Sequence, residues 1–553
     1  MRLFVLEYHY WDKKSHFLIG RSRGRVEFDY VIVGAGSAGC VLANRLSANP
    51  SLRVALLEAG GRDWYPWIHI PVGYFKTMNN PSWDWCLRTE PDPGLNGRSI
   101  RWPRGKVLGG SSSINGLLYV RGQPNDYDVW AQMGNRGWSW SDVEPYFRKA
   151  ECGVDTGDDV LGTDGPLAIS RPRLQSGICD AWVAAAVKSG YRRNPNYNGG
   201  DQEGVGHFFQ TARDGLRAST ARAFLKPVRN RPNLVVLTEH RARHLVIDEG
   251  RANGIVCAHG DDERTIIARR EIILSAGAIG SPQILMLSGI GEADHLRDLG
   301  ITARVDLPGV GGNLQDHLQA RPIFKCRSAT LNDQVNSLIG RMTIALEFAT
   351  RRTGPMTMAA SLGVGFMKTR PELETPDIQF HVQPFSAGTD MKPHKFSAFT
   401  ASVCQLRPES RGRIRLKSPD PDEPPQIHPG YLSSEIDCRT MVEGVKIARR
   451  IAAAEPLKSE ITAEHAPGPD VCSDDKVLDW IRNTATTIYH PSGTCKMGKD
   501  SDAVVDDRLR LRGLDGLRVA DASIMPNLVS GNTNGPTIMI AEKAADMILE
   551  DAR

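Results

Sequence analysis

Residues 28–60, FDYVIVGAGSAGCVLANRLSANPSLRVALLEAG, decide the fold. Residues 29–33 form a short apolar run rich in β-branched side chains, the pattern of a strand buried on both faces. Gly34, Gly36 and Gly39 follow in G-x-G-x-x-G spacing, where that strand must turn into a helix. The first glycine allows the turn, the second lets a pyrophosphate approach the backbone, and the third lets helix and strand pack closely. Ser37 and Ala38 open the helix, whose unpaired N–H groups and positive dipole end suit phosphates. Residues 52–57 read as a second buried strand, and Glu58 follows where an acid binds a ribose 2′-OH. The stretch is a βαβ dinucleotide site. Glu58 would repel a 2′-phosphate, which disfavours NADP; which other dinucleotide binds is open at this point.

The chain has 553 residues, long enough for two or more domains. Its 68 basic and 64 acidic residues leave a net charge of +4, which gives no footprint for nucleic acid. Ten cysteines lie scattered, with no CxxC pair and no ligand-like His/Cys spacing, so neither a disulfide framework nor a metal site is expected. They read as reduced thiols of a cytoplasmic protein. No uncharged apolar run reaches the roughly 18 residues of a membrane span, so any membrane contact is expected to be peripheral. Residues 1–25 carry Glu7, Asp12, Lys13 and Lys14 among their apolar residues and lack the form of a signal peptide. They read as a loosely ordered extension or an over-long start.

Residues 59–104 are irregular and rich in Trp and Pro, the composition of a long loop pinned by aromatic packing through Trp64, Trp67, Trp83 and Trp85. Residues 105–122, GKVLGGSSSINGLLYVRG, offer small side chains and many donors that can lie against a flat polar ring or a phosphate. Helices are expected at residues 126–134 and 139–151, the second with Ser141 and Glu144 as a capping box. Residues 233–248 and 254–258 read as strands. Residues 270–277 read as another buried strand, running through a glycine into the helix AIGSPQILMLSGIG. A second strand–glycine–helix unit so far from the first predicts a dinucleotide domain discontinuous in sequence. From residue 305 to 478 segments such as PDIQFHVQPF and FTASVCQLRP alternate polar and apolar residues, the mark of antiparallel strands with one covered face. An amphipathic helix at 437–455 is placed to cover that sheet.

The fold class is therefore α/β, α+β overall. A Rossmann-like dinucleotide domain is built from residues 26–160, 206–304 and 479–553. Residues 161–205 connect it to a second, antiparallel-sheet substrate domain at 305–478.

Three stretches resemble the glucose–methanol–choline oxidoreductases, a family of alcohol-oxidising flavoproteins. GKVLGGSSSINGLLYVRG resembles one signature and GAIGSPQILMLSGIG, residues 277–291, another. YHPSGTCKMG and VSGNTNGPTIMIAEKAADMI resemble the catalytic segment. The resemblance implies FAD as the dinucleotide, His490 as the base and Asn534 as its active-site partner. An imidazole suits the base because its ordinary pKa lies near working pH. It also implies cofactor contacts at Val107, Gly110, Asn115, Leu118, Ala242, Asp521, Ala522 and Thr537, the last on a helix whose first turn holds Pro536. Some members attach FAD through a histidine just before the signature asparagine; here Ile114 stands there, so FAD is expected to be non-covalent. Choline-specific members carry a carboxylate in a region matched here by MTMAASLGVGFMKT, where Leu362 takes its place. The expected substrate is an uncharged primary alcohol, oxidised to the aldehyde by proton transfer to His490 and hydride transfer to flavin N5. Choline dehydrogenation is the alternative. A hydroxynitrile lyase that keeps FAD, or a non-catalytic flavin-binding protein, would be of another class. The electron acceptor, quinone or oxygen, is open.

Overall fold

The computed structural model describes residues 26–157, 159–388 and 391–552; the extension read at residues 1–25 lies outside them. Two large sheets organise the chain. The first runs in the order Leu234–Leu237, Val54–Leu57, Val26–Val33, Asp262–Leu274, Arg251–His259, Arg241–Asp248. Its centre is parallel, with Val33 opposite both Leu57 and Leu274, and Leu517–Val519 adds a further parallel strand beside Ile272, Ile273 and Leu274. Residues 54–57 are buried throughout, as a parallel strand covered on both faces requires. The fingerprint helix Ser37–Leu46 follows the first strand, and Gly277–Leu287 follows the long one.

Residues 233–248 are not one strand. The chain leaves the parallel sheet after Leu237 because Glu239 and His240 donate their N–H groups to the carbonyls of Gly60 and Glu58 at the end of the neighbouring strand. Glu239 takes a positive φ of 61° in that turn. The chain then re-enters as an antiparallel hairpin, Arg241–Asp248 against Arg251–His259.

The second sheet is antiparallel, in the order Ile461–Ala466, Ile323–Cys326, Ala398–Gln405, Ile378–Gln383, Gly363–Met367, Gly204–His207. Leu318–Ala320 bridges Ala398–Gln405 to Thr486–Thr487. The sheet thus recruits Gly204–His207 and Thr486–Thr487 from outside residues 305–478. Its central strands are also buried on both faces, where the alternation suggested one face in water. The helix Glu435–Ala452 packs on one side of Ala398–Gln405. The polar residues His381 and Gln383 line an internal cavity instead of meeting solvent, and Gln379, on the same strand face, is fully buried and donates to the Asn532 side chain. The expected capping box shifts as well: Ser139 is the N-cap and Asp142 its partner, the Ser139 hydroxyl lying 2.6 Å from the Asp142 carboxylate. The entry point is set by Trp138, fully buried and donating from its indole nitrogen to the Asp507 carbonyl. Residues 59–104 are less irregular than read, with a short helix Pro66–His69 and a ribbon of Leu87–Arg88 on Arg101–Trp102. Trp83 packs, stacked on Tyr65 with centroids 5.3 Å apart. Trp64 is 61% exposed, and Trp85 lies on the cavity wall.

Candidate active site

A cavity of about 560 Å³ lies between the two sheets. At one end the fingerprint glycines form its wall. Gly34 has φ +98°, and a Cβ there would stand 2.6 Å from the Ser275 carbonyl oxygen. A Cβ on Gly110, which has φ +50°, would stand 2.7 Å from the Cα of Gly36, so the 105–122 loop closes on the fingerprint only because residue 110 is glycine. Gly39 is off the wall and packs on Gly34, where a Cβ would meet the carbonyl oxygen at 1.9 Å. The helix Ser37–Leu46 has no side-chain cap, and its first-turn N–H groups face the cavity end where Ser37 and Ala38 lie. Glu58, 6% exposed, accepts from the N–H groups of Ala35 (3.0 Å) and Gly60 (2.8 Å). Burial pushes its pKa up to about 7, and each oxygen keeps a lone pair for a hydroxyl donor.

Leu118, Ala242, Ala522 and Thr537 also line the cavity. Asn115 is on the wall, but its side-chain oxygen is taken by Arg217 Nη1 at 2.6 Å. Asp521 is consumed structurally: its carboxylate accepts from Gly277 N–H, Ser281 Oγ and Ser523 N–H, tying the first turn of the helix Gly277–Leu287 to its own turn at the cavity edge. Val107 is not on the wall; it is buried in a small apolar cluster with Ile68, Trp83 and Ile114. Leu362 is not on it either. It is 1% exposed in the core, and Ala360 and Ser361 line the cavity in its place.

His490 lies deep in the same cavity, 6% exposed. Its segment is strapped to the second sheet: Ile488 N–H donates to the His317 carbonyl, and Gln315 and Ser492 exchange two backbone hydrogen bonds of 3.0 Å. Tyr489, immediately before it, has φ +73°, a costly left-handed conformation that the surroundings impose. The buried Asp316 carboxylate fixes the backbone by accepting from His490 N–H (2.7 Å), Thr487 Oγ1 and Tyr431 Oη. Burial pushes the Asp316 pKa up to about 6.

The side chain sits in a directional chain of hydrogen bonds. His317 Nε2 lies 2.8 Å from the Leu406 carbonyl oxygen, which can only accept, so Nε2 carries a proton. Burial drives the His317 pKa down to about 4, so the ring is neutral and its Nδ1 is bare. That Nδ1 is 2.9 Å from His490 Nδ1, which must therefore carry the proton between them. Burial holds the His490 pKa well below 6.5, with the neighbouring His317, His381 and Arg104 adding to the effect. Neutral and protonated at Nδ1, His490 presents an unprotonated Nε2.

Asn532 Nδ2 donates to that Nε2 at 3.1 Å, and Gln379 Nε2 donates to the Asn532 side-chain oxygen at 3.3 Å. The structure thus brings Asn532, not Asn534, against His490. Asn534 is the first residue of the terminal helix Asn534–Asp551, and its side-chain oxygen accepts from Ser37 Oγ at 2.8 Å. Where the helix begins decides which asparagine turns inward. His381 completes the group: it is 1% exposed, lines the cavity, and neither ring nitrogen has a hydrogen-bond partner. An orphaned buried imidazole beside the unprotonated Nε2 of another is a position for a hydroxyl group. Arg321 lies on the same wall, donating only weakly to Gln383 at 3.4 Å, with Gln319 beside it.

Models of the GMC oxidoreductase family match residues 28–319 and 408–541. The chain is 45% identical over 531 residues to an alcohol dehydrogenase [acceptor] of Pseudomonas putida, covering 94% of this chain and 96% of that one. It is 42% identical over 539 residues to the mitochondrial choline dehydrogenase of Homo sapiens, covering 95% and 90%. Among solved structures, pyridoxine 4-oxidase from Mesorbium loti superposes with a TM-score of 0.86 at 34% identity, covering 94% of this chain and 98% of that one.

Proposed function

This chain belongs to the GMC oxidoreductase family, and from that premise we propose that His490 is the base of its reaction and Asn532 the residue that orients the substrate oxygen. The activity is FAD-dependent oxidation of an alcohol. FAD fits the cavity: Gly34, Gly36 and Gly110 leave room for a diphosphate against the backbone, and Glu58 suits the ribose. Ala242 and Trp85 suit the adenine end, and the terminal-helix N-terminus at Asn534 and Thr537 suits the electron-rich edge of the flavin. With Ile114 on the wall where an imidazole would be needed, the cofactor is held without that covalent link. When bound, FAD supplies a hydride acceptor.

The observation that carries this reading is the bare Nε2 of His490. It takes the hydroxyl proton without first having to lose one of its own. Asn532 has two amide N–H groups and can donate to the same oxygen as it gains alkoxide character, and His381 offers a further ring nitrogen. Choline is disfavoured. Gln319 is neutral, Arg321 is cationic, and the lining carboxylates are engaged elsewhere, Glu58 by backbone N–H groups, Asp521 by Ser281 and Asp422 by Arg241, so a trimethylammonium group would meet a cation and no free carboxylate. A primary alcohol without positive charge fits this wall.

The test is anaerobic reduction of the bound flavin by a panel of primary alcohols and choline, in the parent protein and in His490→Ala. Retained FAD with reduction slowed about 10²–10⁴-fold supports the assignment; a few-fold effect sinks it. Reoxidation of the reduced protein by oxygen or by a quinone then distinguishes the two classes of acceptor.

A further inference from the structure

The helix Leu338–Arg351 reverses the usual relation between pattern and burial. Surface helices normally turn their apolar stripe to the core. Here Phe348 is the single buried residue of fourteen. Leu338 (72% exposed), Ile339 (77%), Met342 (73%) and Leu346 (65%) point outward. They are four of the seven large hydrophobic side chains exposed among the described residues, so the exposure is concentrated rather than scattered. At 100° per residue these four, with the exposed Ala345 and Ala349, fill one continuous arc of the helix. No polar group interrupts it: Thr343 and Thr350 at its border turn their hydroxyls back to the carbonyls of Ile339 and Leu346.

Charge borders the arc on one side. Arg341 flanks it, Arg351 and Arg352 close the helix, and all three are exposed. Arg352 lies over the Phe348 ring at 4.8 Å. The only acid, Glu347, is on the inner side, accepting from Thr353 Oγ1.

We propose that this helix is a lipid-docking element that lies in the plane of an anionic membrane surface, its apolar arc among acyl chains and its arginines at the headgroups. A second copy of the chain is the competing occupant. The arginines argue against it, because a two-fold contact pairs this face with itself, and the helix brings Arg341 and Arg352 to that contact while its one acid, Glu347, is turned inward. The helix also leads directly to the reaction site. Its C-terminal end packs on the turn Pro355–Thr357, which meets Pro71–Gly73, and the residues that follow these turns, Ala360 with Ser361 and Tyr74 with Phe75, line the cavity. Docking through this face brings a membrane to the substrate end of the fold.

The FAD-loaded full chain is sedimented with vesicles of phosphatidylcholine alone and with vesicles that also contain phosphatidylglycerol. Preferential capture by the anionic vesicles is expected, weakened about tenfold or more in the double variant Met342→Asp, Leu346→Asp. Arg341→Glu with Arg352→Glu is expected to remove the preference for phosphatidylglycerol. Alcohol oxidation with a water-soluble dye as acceptor stays unchanged in both variants, which separates this proposal from the catalytic one and shows that each variant is folded. Equal recovery of parent and double-Asp protein, or no capture by either vesicle, overturns the proposal. So does a lipid-free dimer that the double-Asp variant dissolves, since the arc is then a contact between copies.

Discussion

The chain of hydrogen bonds behind His490 can be broken at one atom. His317→Leu removes the bare Nδ1 that accepts the His490 Nδ1 proton and keeps a side chain of comparable bulk. A buried donor left without a partner costs about 1–3 kcal/mol, and the ring relieves that cost by moving its proton to Nε2, with the Asn532 amide turned so that its oxygen accepts there. In that tautomer the nitrogen facing the cavity is occupied and the base is lost. The productive tautomer is thereby depleted, and the rate of flavin reduction falls about 5- to 150-fold. His317→Asn is the matched control, because its side-chain oxygen hangs from the same carbon as the missing Nδ1 and can accept the same proton. The assay is anaerobic stopped-flow bleaching of the bound flavin by a saturating primary alcohol, with FAD content measured in each variant. The asparagine variant is expected to return to within a few-fold of the parent while the leucine variant does not. A leucine variant that binds FAD and bleaches at the parent rate, or an asparagine variant no faster than leucine, refutes the tautomer argument.

The two asparagines separate by their readouts. Asn532→Ala is expected to slow bleaching by about 10²-fold or more with FAD retained, while Asn534→Ala frees the Ser37 hydroxyl and weakens FAD retention with a smaller effect on rate; the reverse pattern would restore Asn534 as the partner of the base. For pH, burial holds His490 neutral, so bleaching keeps its rate as pH falls from about 8 past 6.5, and a decline centred on 6.5 would contradict this. His317 has a folded-state pKa of about 4 against an ordinary 6.5, a depressed value, so its contribution to stability is complete above 6.5 and lost as pH falls through 4. That contribution is about 3 kcal/mol, so thermal melts should lose stability over this window less steeply in His317→Asn than in the parent. Asp316 works in the opposite sense, its raised pKa of about 6 making its contribution complete below 3.8 and lost as pH rises through 6. For substrate choice, Arg321 engages Gln383, two residues or about 7 Å along the strand from His381. A trimethylammonium group at that distance is repelled by about 2 kcal/mol at an effective dielectric of 20, so Arg321→Gln should improve kcat/KM for choline about 50-fold with little change for a neutral alcohol. An unchanged ratio would remove Arg321 from the specificity argument.

The parts legible in the sequence were those written in local spacing. The fingerprint glycines and Glu58 are read within one βαβ unit, and residues 270–291 repeat the strand–glycine–helix form, so the parallel sheet could be expected from both. The active-site partners were legible only in part, because they depend on side-chain direction. In GNTNGP two asparagines are two residues apart, and only the helix start at Asn534 shows that Asn532 turns toward His490. In PDIQFHVQPF the period-2 alternation was sound, but it could not say that the polar face looks into a cavity rather than water. Gln379, His381 and Gln383 were hidden by that ambiguity. His317 follows Gln315 and Asp316 in a stretch whose polar residues are all buried, a density of buried polar groups that marks a site only once burial is known.

The position of His490 depends on both sheets at once. Ahead of it, Thr487 pairs with Leu318 of the antiparallel sheet and Asp316 grips its backbone. Beyond it, the N–H groups of Gly493, Cys495 and Met497 donate to the carbonyls of Ala522, Ser523 and Ile524, next to the parallel strand Leu517–Val519, and Thr494 Oγ1 donates to the Ala278 carbonyl. The parallel sheet contributes helix N-termini, which suit phosphates; the antiparallel sheet contributes alternate side chains, which suit a small polar substrate. Neither sheet alone assembles the proposed base, its hydrogen-bonded His317 and the cofactor cradle. A small displacement of one sheet against the other moves Nε2 relative to the cofactor while leaving each core intact, so catalysis is the property most sensitive to packing between the sheets. That ordering explains why so many buried polar groups, from Asp126 holding the Ser530 backbone to Asp521 holding Gly277, tie the 490–534 region to the rest of the cavity. Each costs desolvation, and each removes a degree of freedom that the reacting atoms cannot tolerate.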